Sequence, residues 1–413
     1  MDSAGASRPD FQIEIRLLLQ VAMAVFAFTV VIGILNGADI VDFDNKTILA
    51  HVHSGTLGWL TLCVFAASLW LFSWGAAPAS AMRLAARILT VAAIVTLPAF
   101  SGAFLLTYGS WRPILGSAAL VTIAGFLIWV ALRARAVDLT TPHLGFLAAV
   151  STSVVGGVFG VLWCLQLATG DRFLPEDAEG AHPGTMVVGF LIPVGMALAE
   201  WSLAWPRPVR VSRLGVFQVG LPFIGGVLLA VGLLLDLIPL VVLTLPFEIA
   251  GVGILIRRMW PAIRAIDWSA RSGSRLAAFS VGWMAVSMLL YVYLIMRYKG
   301  DFDIVPEDEL LALDHIMFIG VMTNAVFGLL HGATEDAAHV WPWADDAIVW
   351  GMNLALAGFA VGLFAGASVF KEIFAPIMGP AILLGLVTYT LRLHTAPVPG
   401  RSGEPAHTLP ATT

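Results

Sequence analysis

The chain of 413 residues is 59% hydrophobic and 12% charged, with a mean hydropathy of +0.89. Soluble domains carry about 25% charged residues, so this composition excludes a soluble globular fold and places the chain in a lipid bilayer. The formal net charge of −5 comes with acids gathered in a few loops, and nucleic acid is not expected as a partner.

Apolar runs near the ~20 residues needed to cross the hydrocarbon core predict twelve spans. They lie at about 15–37, 50–73, 86–107, 113–133, 143–168, 183–204, 214–235, 237–256, 276–296, 310–331, 347–369 and 373–391. Lysine and arginine orient them. With a cytoplasmic N-terminus, sixteen basic residues fall on the inner side, including Arg83, Arg133, Arg258 and Arg392. Only Lys46, Arg112, Arg172, Arg297, Lys299 and Lys371 fall outside. The expected location is therefore a bacterial-type inner (plasma) membrane, crossed many times, with both termini cytoplasmic. Cys63 and Cys164 fall inside spans, which gives no disulfide framework. Residues 1–395 read as one membrane domain, and 396–413 as a disordered tail.

Three loops lead into similar spans: "FDNKTILAHVHSGTLGW", "LPEDAEGAHPGTMVVGF" and "VPEDELLALDHIMFIGV". Aligned on Gly58, Gly189 and Gly320 they are 131 residues apart in both steps, and Pro175-Glu176-Asp177 and Pro306-Glu307-Asp308 coincide. This predicts three four-helix pseudo-repeats, about 1–135, 136–270 and 271–395. The repeat orders the histidines: His51 and His182 share one position, where the third copy has Leu313. His53 and His315 share another, where the second copy has Gly184.

Residues two apart on an α-helix point ~200° apart. His51 and His53 therefore face opposite sides of span 2 and cannot chelate one ion together. The spacing suits one ligand to each of two flat cofactors, and Ser54, Gly55 and Gly58 leave room for close approach. Ionisable groups inside a span are functional candidates by default. Glu248 joins the list as a proton-path residue, whereas Glu200 is expected to snorkel from its span's inner end. His143, His331 and His339 lie near the inner side and are expected to be structural; His394 and His407 belong to the tail region.

The segment "HVHSGTLGW" resembles the histidine helix of the cbb3-type cytochrome c oxidase catalytic subunit, in the haem-copper oxidase superfamily. The resemblance implies an all-α, oxidase-subunit-I-like fold of twelve transmembrane helices in three arcs, with haem ligands on spans 2, 6 and 10. It implies haem iron ligated by His51, His53, His182 and His315, with His53 paired to His182 and His51 to His315. The departures matter as much. In the oxidases the His-x-His pair lies on span 10, and here it lies on span 2. Span 7 contains no histidine and no tyrosine, and Met186 follows His182 by four residues where many oxidases place a tyrosine. The copper site and its phenol are thus missing, so copper and dioxygen reduction are not expected.

The expected function is a membrane cytochrome carrying haem b at one or two sites, serving electron transfer or respiratory redox. An electron-transfer partner, such as a cytochrome c-type carrier, would meet it at the acidic outer face. Two other classes stay open: a haem-dependent nitric-oxide-response or sensor protein, and a metal-handling or transport protein. No discontinuous span pair or midplane charge cluster favours transport.

Overall fold

The computed structural model describes residues 10–106, 109–176, 178–204, 210–299, 304–395 and 398. The predicted tail, Val398 apart, lies outside the described residues, as does Asp177 of the loop motif. Twelve helices are long and apolar enough to cross a membrane: α1 Gln12–Gly37, α2 Asn45–Leu71, α3 Ser80–Ala103, α4 Trp111–Ala136, α5 Thr141–Thr169, α6 Ala181–Leu203, α7 Arg213–Leu234, α8 Ile238–Arg264, α9 Gly273–Tyr298, α10 Glu307–Ala333, α11 Ala344–Phe364 and α12 Val369–Thr395. The chain is a multi-pass membrane protein. Helices suit the bilayer because every backbone group is satisfied within its own segment.

Local chemistry sets several starts. Asp44 caps α2, its carboxylate accepting from the Thr47 amide at 2.9 Å and the Thr47 hydroxyl at 2.7 Å. These bonds, the hydroxyl's first, hold its pKa below the usual carboxylate value. Ser212 caps α7 by accepting from the Gly215 amide, and Thr140 with His143 forms a capping box on α5.

The helices form two layers. Among the described residues α1, α3, α4, α5, α7, α8, α9, α11 and α12 make a closed ring, each touching the next, and α2, α6 and α10 fill its centre. The central three are buried over 89%, 83% and 72% of their apolar windows, against 28–56% for the others. They meet through Trp70 on Trp201 (ring centres 5.0 Å apart) and a bond from Trp59 Nε1 to Thr323 Oγ1 (3.4 Å). With lipid outside, packing and polar contacts hold such helices together. A Cβ on Gly58 would overlap Val25 of α1, one on Gly189 would meet Thr152 of α5, and one on Gly320 would meet Trp283 of α9.

Each central helix also widens into a π-helical segment: Ser54–Thr61, Thr185–Leu191 and Ile316–Thr323. Their starts are 131 residues apart. A π turn displaces the normal amide–carbonyl pairing, and side chains bond the displaced carbonyls. Thr61 Oγ1 donates to Thr56 O at 3.0 Å, Thr323 Oγ1 to Phe318 O at 2.8 Å, and Thr152 Oγ1 of α5 to Gly189 O.

The opposite end of the bundle is fastened by arginines. Arg133 of α4 donates to Phe72 O (2.9 Å) and Ala76 O (3.0 Å), just past the end of α2. Arg258 of α8 grips Glu200 of α6 with both nitrogens (2.7 and 2.8 Å), and Arg392 of α12 grips Asp345 of α11 (2.8 and 2.9 Å). Glu200 thus does not snorkel. It is 2% exposed and also accepts from Gln218, because Arg258 offers it charge inside the protein.

Candidate functional site

The four histidines singled out by the sequence all lie at one end of the central helices. His51 and His53 are the seventh and ninth residues of α2, His182 the second of α6, and His315 the ninth of α10. All four are half-buried. Each ring is held the same way, by an Nδ1–H donated to a backbone carbonyl. His51 uses Thr29 O of α1 at 2.9 Å, and His182 uses Gly156 O of α5 at 2.8 Å. His53 and His315 each reach back one turn in their own helix, to Leu49 O and Leu311 O, both at 2.8 Å. A carbonyl can only accept, so Nδ1 carries the proton and the neutral ring's Nε2 keeps its lone pair. No Nε2 of the four has a hydrogen-bond partner among the described residues.

Three of the other described histidines are held differently. His143 is buried with both nitrogens engaged: Nδ1 accepts from the Thr140 amide at 3.1 Å and Nε2 donates to Leu71 O at 3.2 Å. His331 Nε2 lies 3.6 Å from Asp345 Oδ1. His394 Nε2 is 3.3 Å from the side-chain amide of Gln20.

Between α2 and α6 the rings of His53 and His182 face one another, with centres 6.5 Å apart and planes within 8°. Two imidazoles that bind one ion from opposite sides, at about 2 Å per bond, have ring centres about 6 Å apart. This cleft is closely packed. Phe104 lies flat on His53 at 3.8 Å, Phe100 meets it edge-on, and the Arg112 guanidinium covers Phe104 at 4.8 Å.

On the other side of α2, His51 and His315 border a cavity of about 230 Å³. Its walls are mostly apolar, from Phe26, Val30, Phe359 and Met378, and its polar lining includes Asn36, Asp314 and Lys371. Such a mostly apolar hollow with a few convergent polar groups is the usual form of a cofactor site.

The third side carries no histidine and is filled. Leu229 and Leu233 crowd Gly184, and Leu313 packs with Leu294, Val305 and Tyr291. Glu248 of α8 is nearby: 3% exposed, both oxygens unpartnered, and close enough to Tyr291 for charges to interact. Among the described residues no three His, Cys, Asp or Glu side chains converge as a bare-metal site would require. Sequence reasoning missed the anchoring carbonyls, which carry no residue signature, and Gly33 and Gly160, which lie beneath His51 and His182. The chain matches no family model and no curated protein.

Proposed function

We propose that this chain is a haem-binding membrane cytochrome with an oxidase-subunit-I-like architecture, active in electron transfer or respiratory redox and lacking a haem-copper oxygen-reducing centre. His53 and His182 would hold the group at one site, and His51 and His315 would hold it at the second. The observation that carries this reading is the shared state of the four rings, each anchored through Nδ1 and presenting an unengaged Nε2. Metal-bound histidines are held in this way, by a second bond that fixes tautomer and ring direction. Haem fits the donor set because its macrocycle fills four positions and asks the protein for only two. A bare ion would need a third ligand, and that weighs against metal transport.

Spacing supports one site and room the other: the His53 and His182 ring centres are about as far apart as those of two imidazoles sharing one ion, and the cavity beside His51 and His315 has apolar walls. When bound, the group supplies a one-electron iron couple tuned by its axial ligands and their surroundings. The chain's part is to hold the imidazoles neutral, exclude water with Phe100, Phe104 and Arg112, and set the two sites on opposite faces of one helix. Lys371 suits the anionic edge of such a group, and Glu248 is placed to hold a proton in the filled third cleft.

Three observations support the pseudo-repeat behind this reading. The π segments start at residues 54, 185 and 316. Gly58, Gly189 and Gly320 each receive a side chain from the helix that opens its own set. The paired positions 51/182 and 53/315 each use one kind of carbonyl anchor. The charge bias puts the arginine end in the cytoplasm and the acidic loops, with Asp42, Asp44, Glu307 and Asp308, outside, where a basic c-type carrier would dock. The cavity favours a second reading, a haem-based nitric-oxide-response protein, since a small ligand could reach that site more readily than the packed one.

The test is a haem assay with reduced-minus-oxidised spectra of the purified protein and four alanine variants. His53→Ala and His182→Ala should abolish the same low-spin signal and open that iron to CO. His51→Ala and His315→Ala should disturb the other site. A wild-type protein without haem ends the proposal, and His53→Ala behaving like His315→Ala ends the pairing.

A further inference from the structure

We infer that Gly160 is a positioning residue for the His53/His182 site, and that Gly33, its counterpart under His51, is not. This rests on the reading of His182 as an axial ligand. His182 reaches from α6 to the surface of α5, where its Nδ1–H meets Gly156 O at 2.8 Å. One turn further along α5 is Gly160, and a Cβ there would stand 2.8 Å from His182 Cε1, 2.9 Å from Nδ1 and 3.4 Å from Nε2. The ring thus sits in a notch with a carbonyl at one end and a missing side chain at the other. Contacts under 3 Å are too close for carbon, and an imidazole ring cannot fold aside as a methionine tail can. The ring would have to tilt, which lengthens the Nδ1 bond and breaks the near-parallel arrangement with His53.

The same notch under His51 is looser. Thr29 O accepts the Nδ1 bond, Gly33 is one turn further, and a Cβ there would stand 3.4 Å from Cε1, an ordinary contact. Gly157, next to Gly156 on α5, supplies the control. A Cβ there meets only Leu120 Cδ1, at 3.0 Å, the end of a flexible side chain.

Altering a group that orients a metal ligand from behind typically changes metal affinity by about 10–100-fold. Gly160→Ala should therefore weaken haem retention at this site by about 10-fold or more, or keep the haem with shifted EPR g-values and midpoint potential. Gly157→Ala should leave both signatures at wild type. The melting temperature in detergent, read in two backgrounds, separates positioning from packing. Gly160→Ala should lower it when residue 182 is histidine and leave it nearly unchanged beside His182→Ala, because the clash is with the ring. Wild-type signatures in Gly160→Ala, equal shifts in Gly157→Ala, or the same melting loss in both backgrounds would each overturn the inference. Failure of the haem assignment itself would look different: wild type would then show no low-spin haem signal to shift.

Discussion

Two sets of side chains, one at each end of the bundle, use their nitrogens in opposite ways. At one end Arg133, Arg258 and Arg392 are tied to carbonyls or carboxylates at hydrogen-bond distance. At the other, four histidines hold one nitrogen fixed and leave the second without a partner among the described residues. A histidine that binds a metal needs one nitrogen fixed and the other free, so a set held in that state, repeated and anchored alike, marks a candidate place to bind something. The matched set marks where helices are held to one another.

If that division is right, variants at the two ends should fail in different ways. The largest stability loss belongs to the arginine end. Arg392→Leu leaves Asp345 (3% exposed) without its ion partner, and breaking a buried pair from one side costs about 3–5 kcal/mol. Thermal denaturation in detergent should show a sharp drop in melting temperature, with an unchanged spectrum in the protein that still folds. A changed spectrum would mean that the two ends are coupled. Next comes His143→Ala, which strips Leu71 O and the Thr140 amide of buried partners and should cost about 1–3 kcal/mol. Its haem content should match wild type, since neither of its nitrogens is available to iron. His331→Ala should also leave haem content unchanged: it lies sixteen residues below His315 on α10, about 24 Å along the axis. Parallel haem loss in His331→Ala and His53→Ala would merge the two regions. The smallest effect is expected at the cap of α2. The folded state lowers the pKa of Asp44, so its stabilisation is present above the unfolded pKa and fades as pH falls through the lower folded one. The melting temperatures of Asp44→Ala and wild type should therefore differ at neutral pH and converge in strong acid.

The twelve helices were legible because hydrophobic length is what a bilayer reads, and the observed spans agree with the predicted ones to within a few residues at most ends. The exceptions have physical causes. The predicted span at 237–256 stopped before Arg257 and Arg258, yet α8 continues to Arg264, because Glu200 and Gln218 receive Arg258 inside the protein. The start of α2 was placed five residues late, since the polar Asn45, Lys46 and Thr47 hid a turn that Asp44 caps. At the site, the pattern of histidines was readable and the opposite facing of His51 and His53 followed from helix geometry, while their pairing with His182 and His315 is what the oxidase resemblance implies. The anchors were not, because Thr29, Leu49, Gly156 and Leu311 act through carbonyls that any residue would supply. The π segments were equally hidden, having no composition of their own.

Those widened turns have a consequence for how the chain tolerates length changes. Each α-helical residue advances the helix face by about 100°, so the histidine-bearing start of α2 and the buried stretch after Thr61 must keep a fixed angular phase. The segment Ser54–Thr61 sets that phase. Removing one residue from it would let the segment return to tight α-helical pairing with the histidines near their present angle, whereas adding one residue beside it would turn His51 and His53 by about 100° out of their clefts, with no side chain replaced and the hydrophobic span still long enough for the bilayer. A substitution scan would miss this dependence, and paired single-codon insertion and deletion scans across residues 54–61 would reveal it, the insertions being the more damaging.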